Sequence, residues 1–136
     1  MKILVYFIAI MFLATACDVY YVEPVPVVVI DERDQFVGSY DVSEYSSTYD
    51  EYWEYGLSIY KSSGQIVIDN FYNSGYRVYA NVNGNSLYIP WQKVNGYEIS
   101  GEGYVEGSKL VLNYKVRDTY TAGSAWDFCD ATGWRY

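Results

Sequence analysis

An alternation of apolar and polar residues, interrupted by glycine-containing turns, runs from about residue 36 onward and leaves few folds open to this chain. In "YGLSIYKSSGQIVIDNFYNSGYRVYANVNGNSLYIPW", Leu57 and Ile59, then Ile66 and Ile68, then Val78, Ala80 and Val82, then Leu87 and Ile89 fall on one face. Ser58, Gln65, Asp69, Arg77, Asn81 and Ser86 fall on the other. A helix would repeat near 3.6 residues; a period of two specifies antiparallel strands with one dry and one wet side. The rule continues through "YEISGEGYVEGSKLVLNYKVRD". There Ile99, Gly101, Gly103 and Val105 alternate with Glu98, Ser100, Glu102 and Tyr104, and Leu110, Leu112, Tyr114 and Val116 alternate with Lys109, Val111, Asn113 and Lys115.

The pairs Ser63-Gly64, Ser74-Gly75, Asn83-Gly84, Asn95-Gly96 and Glu106-Gly107 are of types that tolerate positive φ, and their spacing is that of consecutive hairpins. The pattern predicts strands over 36–45, 52–61, 65–72, 76–83, 86–92, 97–105, 109–117 and 125–135. Closing eight such strands removes every exposed sheet edge, so an all-β, eight-stranded antiparallel up-and-down barrel over 36–136 is the first expectation. A β-sandwich of the same strands is the alternative, because alternation does not separate the two.

Ahead of this domain the chain opens "MKILVYFIAIMFLATAC". One positive charge at Lys2, an apolar run from Ile3 to Ala14 and small residues before Cys17 make residues 1–16 a signal peptide, since the run falls short of the roughly 20 apolar residues of a spanning helix. Ordinary cleavage after Ala16 is the plainer outcome. However, "LATAC" resembles the lipobox of bacterial lipoproteins, in which the cysteine becomes the first mature residue and carries lipid. Ala14 stands where that family usually has Leu, and Leu13 lies one step further out. The resemblance implies a protein anchored to the membrane through palmitate-type acyl chains on Cys17, in the bacterial cell envelope, with the outer membrane its expected site. Each buried methylene contributes about 0.8 kcal/mol, so two or three chains anchor a small domain stably. Cys129, the second of two cysteines, is then left without a partner and reads as a small buried hydrophobe.

Residues 17–35 continue as "CDVYYVEPVPVVVIDERDQ", where Pro24 and Pro26 favour extended backbone, so this segment is expected to be a linker. The apolar "VPVVVI" within it is a candidate extra strand against the barrel. The net charge is −8, and Asp31, Glu32, Asp34, Asp41, Glu44, Asp50, Glu51 and Glu54 are offset locally by Arg33 alone. Such a surface repels phosphates, which argues against nucleic acid as a partner.

Two further likenesses bear on the fold. "FVGSY", with Gly38 and Tyr40 opening the first strand, is similar to the Gly-x-Trp start of lipocalins, with Tyr in the place of Trp. That likeness implies that Arg135 packs across the aromatic ring. The order of "NF", "IPWQ", "GEG" and "LNYKV" within 36–117 resembles small lipocalin-like lipoproteins of Gram-negative bacteria, most of them functionally uncharacterised.

Catalysis is not expected. The chain has no histidine, the commonest general base. The carboxylate pairs Asp50 with Glu54 and Glu98 with Glu102 read as solvated surface charge. "NVNGN" lacks the carboxylates of a calcium loop and suits a hairpin turn, and "GEGYVEG" misses the dinucleotide fingerprint in spacing. No cofactor or metal site is expected.

The aromatic content is the informative excess: 18 Tyr, 4 Trp and 5 Phe. Two binding roles follow. In the first, the barrel carries a small apolar ligand lined by Tyr40, Ile68, Val78, Ile89, Ile99, Leu112 and Tyr114, with inward Gly101, Gly103 and Ala80 leaving room. In the second, a packed barrel is a scaffold whose wet-face Tyr60, Tyr79, Tyr88 and Tyr104 bind a glycan or a partner protein, as amphipathic rings do at low entropic cost. For the anchor, Cys17→Ser is expected to abolish incorporation of labelled palmitate in bacterial cells and to release the chain from the membrane fraction. Undiminished labelling would place the lipid elsewhere.

Overall fold

A computed structural model describes residues 20–136; Cys17 and the signal peptide lie outside the described residues. Eight strands follow in order: β1 (Gly38–Ser46), β2 (Glu51–Ser62), β3 (Gln65–Phe71), β4 (Tyr76–Asn83), β5 (Ser86–Val94), β6 (Tyr97–Glu106), β7 (Lys109–Asp118) and β8 (Asp127–Arg135). Each pairs antiparallel with the next, and β1 pairs with β8, so the sheet is a closed up-and-down barrel and not a sandwich. Every strand falls within two residues of the bounds that alternation predicts.

The inward positions interlock as one core. Tyr40, Ile68, Val78 and Ile89 are fully buried, Leu112 and Ile99 nearly so, and Tyr114 is 4% exposed. The glycines do not leave the interior room that their lack of a side chain suggests. A Cβ on Gly101 would stand 2.4 Å from Cβ of Tyr114 and 2.6 Å from the carbonyl oxygen of Asn113; one on Gly103 would stand 2.3 Å from the Val111 carbonyl oxygen. Strands β6 and β7 approach into that space. Outside the barrel, β3 departs from simple alternation: Val67 is buried although its neighbours Ile66 and Ile68 point inward. It lies between Tyr60 on β2 and Tyr79 on β4 in the same cross-strand row, in position for their rings to shield it.

Closure is reinforced at two seams. Between β4 and β5 the backbone ladder covers only Asn81–Asn83 against Ser86–Tyr88, because Pro90 has no N–H to donate. The Gln92 side chain supplies the missing pair, donating to the Tyr79 carbonyl at 2.8 Å and accepting from the Tyr79 N–H at 3.1 Å. At the β1–β8 seam, Arg135 stands opposite Tyr40. Its guanidinium donates to the carbonyls of Gln35, Val37 and Gly107 at 2.9–3.1 Å. Its aliphatic stem crosses Gly38, where a Cβ would stand 2.5 Å from Arg135 Cδ and where φ is +151°. Gly38, Tyr40 and Arg135 therefore come together as the lipocalin likeness implies.

The linker ends earlier than 35. Glu32–Gln35 form a 3-10 turn, N-capped by Asp31, that folds onto the barrel end. Arg33 donates to the Ser63 carbonyl, Lys61 pairs with Asp31 and Asp34, and the Gly84 N–H donates to Glu32 Oε2 at 2.7 Å. Phe36 follows as a fully buried plug, and Tyr40 donates to its carbonyl at 2.7 Å. Val25, Val27, Val28, Val29 and Ile30 remain exposed, so "VPVVVI" adds no strand.

Gly101→Ala and Gly103→Ala are each expected to cost about 1–3 kcal/mol, the range for overpacking, read as a lower denaturation midpoint. Unchanged midpoints would mean that β6 and β7 separate freely.

Candidate functional site

The two ends of the barrel differ in chemistry. The end carrying the Phe36 plug is apolar and latched. The opposite end gathers the turn after β1, the turn after β3 and the start of β8, and its inward positions are polar. Along β1 the inward run is Tyr40, Val42, Glu44, Ser46, and at the start of β8 it is Asp127, Cys129, Ala131.

Glu44 is 2% exposed and Asp127 4%. This corrects the placement of Glu44 in the solvated acidic surface: it lies inside the barrel. The hydroxyls of Tyr55, at 2.5 Å, and Tyr114 both donate to Glu44 Oε2. The Tyr72 hydroxyl donates to Asp127 Oδ2 at 2.6 Å and Ser46 to Asp127 Oδ1 at 2.5 Å. Tyr72 and Tyr114 meet edge to face with centroids 6.3 Å apart, and Tyr97 closes on Tyr72 and Tyr76 at 6.5 and 5.7 Å. The result is a buried network of two carboxyls, three phenols and a hydroxyl.

Burial pushes the Glu44 carboxyl above its ordinary 4.5, against the phenol hydrogen bonds that favour its charged form, and the neighbouring Asp127 adds to the rise. Burial chiefly, and the adjacent carboxyls, hold the Tyr55, Tyr72 and Tyr114 hydroxyls protonated, so they serve as donors. The Cys129 thiol is raised by burial first and by Glu44 and Asp127 next; it is a free, inward-facing cysteine with little thiolate character. Among the described residues no group of three His, Cys, Asp or Glu side chains is arranged to hold a metal ion.

A second feature lies on the outer wall. Tyr88, Glu102, Asn113 and Asp130 form one cross-strand row over β5, β6, β7 and β8, beside Ser100, Lys115 and Phe128. They line a groove of about 410 Å³. Tyr88 and Phe128 are 56% and 52% exposed, and Asn113 donates to Asp130 at 2.5 Å. Lys115 and Arg117 sit over the Trp126 ring at 4.7 and 4.5 Å, which fixes two cations along the groove's rim strand.

The residues predicted to line an internal ligand site, Tyr40, Ile68, Val78, Ile89, Ile99, Leu112 and Tyr114, come together but against one another, as packed core. The four wet-face tyrosines are exposed but do not make one platform. Tyr60 and Tyr79 flank Val67, Tyr88 belongs to the groove, and Tyr104 stands between Ser86 and Val111. Sequence reasoning missed Glu44, Asp127 and Tyr72 at the polar end and Asn113, Asp130 and Phe128 in the groove. The parity of β1 already placed Glu44 on the same side as Tyr40 and Val42; its acidic neighbours in the chain obscured that signal.

Between pH 4.5 and the raised value of Glu44 the folded chain keeps a proton that the unfolded chain releases, so this group's contribution to stability falls as pH rises through that window. Glu44→Gln keeps an acceptor for the two phenols and is expected to melt above the parent at neutral pH, with the gap closing below about pH 4. A variant that melts lower at every pH would show that the ionised carboxylate is intrinsically stabilising.

No family, curated protein or solved structure matches this chain, so its function is read from these two surfaces.

Proposed function

We propose that the chain is a non-catalytic binding protein of the bacterial cell envelope, anchored through lipid on Cys17, whose packed barrel presents the outer-wall groove to an uncharged glycan. The observation that carries this reading is the filled interior. The seven inward side chains that would line an apolar ligand are between 0 and 4% exposed and occupy the space themselves. The exposed apolar and polar groups lie instead on the wall.

The groove has the composition that sugar rings require. Tyr88 and Phe128 offer aromatic faces to the C–H side of a ring, while Glu102, Asn113, Asp130 and Ser100 offer acceptors and donors to paired hydroxyls. Its volume of about 410 Å³ falls within the range of about 300–1,000 Å³ typical of small-ligand sites. The strongly acidic chain disfavours anionic glycans. A rigid sheet holds all of these side chains, so little ordering entropy is lost on binding.

The test is an array of uncharged oligosaccharides probed with the full-length chain in a neutral detergent. Saturable binding is expected. Tyr88→Ala and Asn113→Ala should each weaken it by roughly ten-fold, or about 1.4 kcal/mol, with the melting temperature unchanged. An array without a saturable signal, or one that both substitutions leave intact, would overturn the proposal.

A further inference from the structure

The polar mouth of the barrel carries an inference that is independent of the outer-wall groove. Glu44, Trp53, Tyr72 and Asn73 line a pocket of about 210 Å³ at this end. Trp53 stands directly opposite Glu44 across the β1–β2 ladder and is 47% exposed at the rim. The volume lies below the range of about 300–1,000 Å³ for drug-sized ligands, so the occupant is small.

The charge in this pocket is uncompensated. Glu44 receives both of its phenol hydrogen bonds on Oε2, and Oε1 accepts none from the described residues. Yet no fully buried side-chain oxygen among the described residues lacks a partner, so Oε1 of this 98%-buried residue keeps its small accessible surface on the pocket it lines. Behind it, Asp127 has both oxygens occupied by Tyr72 and Ser46. None of the ion pairs among the described residues reaches either carboxyl; their cations pair with Asp31, Asp34, Asp69 and Glu98. Buried carboxylates are ordinarily paired, because an isolated one is costly to desolvate.

We infer that this mouth binds one small alkylated ammonium ion, held between the Glu44 carboxylate and the rings of Trp53 and Tyr72. The set of donors and acceptors selects that class. A hydrated metal ion needs several oxygen ligands, and the pocket offers one free carboxylate oxygen and the Asn73 amide. A primary ammonium carries three N–H donors for which the same few acceptors are too sparse. An alkylated ammonium has no such demand; it needs a negative charge and aromatic faces, which are what Glu44, Trp53 and Tyr72 supply.

The probe is choline chloride, titrated calorimetrically into the full-length chain in a neutral detergent, with 3,3-dimethylbutan-1-ol as its uncharged counterpart of the same shape. Choline is expected to bind saturably and at least ten-fold more tightly than the alcohol. Glu44→Gln should weaken choline at least ten-fold without lowering the melting temperature. Trp53→Ala, at an exposed rim position, should weaken it too, whereas Tyr88→Ala should leave it unchanged. Equal affinity for choline and the alcohol, no choline binding at tens of millimolar, full binding by Glu44→Gln, or displacement of choline by calcium chloride would each overturn the inference.

Discussion

The pairing of the first strand with the last is the constraint on which this structure depends. Until β1 meets β8, both strands present unpaired backbone and the inward side chains have no common centre. Once Tyr40 to Ser46 lie against Arg135 to Cys129, every strand has two neighbours and the core has one interior. The two partners are separated by nearly the whole domain, so closure must recover a large loop entropy from contacts that exist only when it is complete. Arg135 contributes to that cooperativity. It ties the last strand to the carbonyls of Gln35 and Val37 before β1 and of Gly107 in the turn after β6, in a space that only a glycine at 38 leaves open.

Closure also divides the molecule by chemistry. The latched end is sealed by Phe36 and by the 3-10 turn over Glu32–Gln35, so the apolar interior is shielded there. At the far end the inward positions turn polar, and phenols take over the work that aliphatic side chains do in the middle. Tyr55, Tyr72 and Tyr114 each place a ring in the core and a hydroxyl on a carboxyl. This arrangement explains part of the high tyrosine content: such a side chain satisfies a buried acid without interrupting apolar packing. It also leaves the mouth with charge that the described residues do not balance, which is unusual for a structural network and fits a site.

Because the middle of the barrel is filled, recognition is pushed to surfaces that the strands hold rigid. The wall groove around Tyr88 and Phe128 joins residues from four strands, and the mouth joins β1, β2 and the turn after β3. Neither depends on a mobile loop for its shape. The exposed tyrosines likewise divide between roles. Tyr60 and Tyr79 flank Val67 on the outer face, while Tyr88 is free to meet a ligand.

Much of the fold was legible in the chain itself. Period-two alternation specified the strands and their inward faces, and pairs such as Asn95-Gly96, both at positive φ, specified the hairpins, because these are local properties of backbone and side-chain order. The turn at Glu32–Gln35 was less visible, since its stability comes from Ser63, Lys61 and Gly84, residues distant in sequence. The candidate sites were the least legible. Tyr88, Glu102, Asn113 and Asp130 share a row only because of strand register, and Glu44 meets Tyr114 and Asp127 only because the sheet closes. The sequence by itself thus determined which residues face inward. Whether that inside is filled, and which charges meet there, was decided by tertiary structure, because register and closure are set by the packing of the whole barrel and not by any one segment.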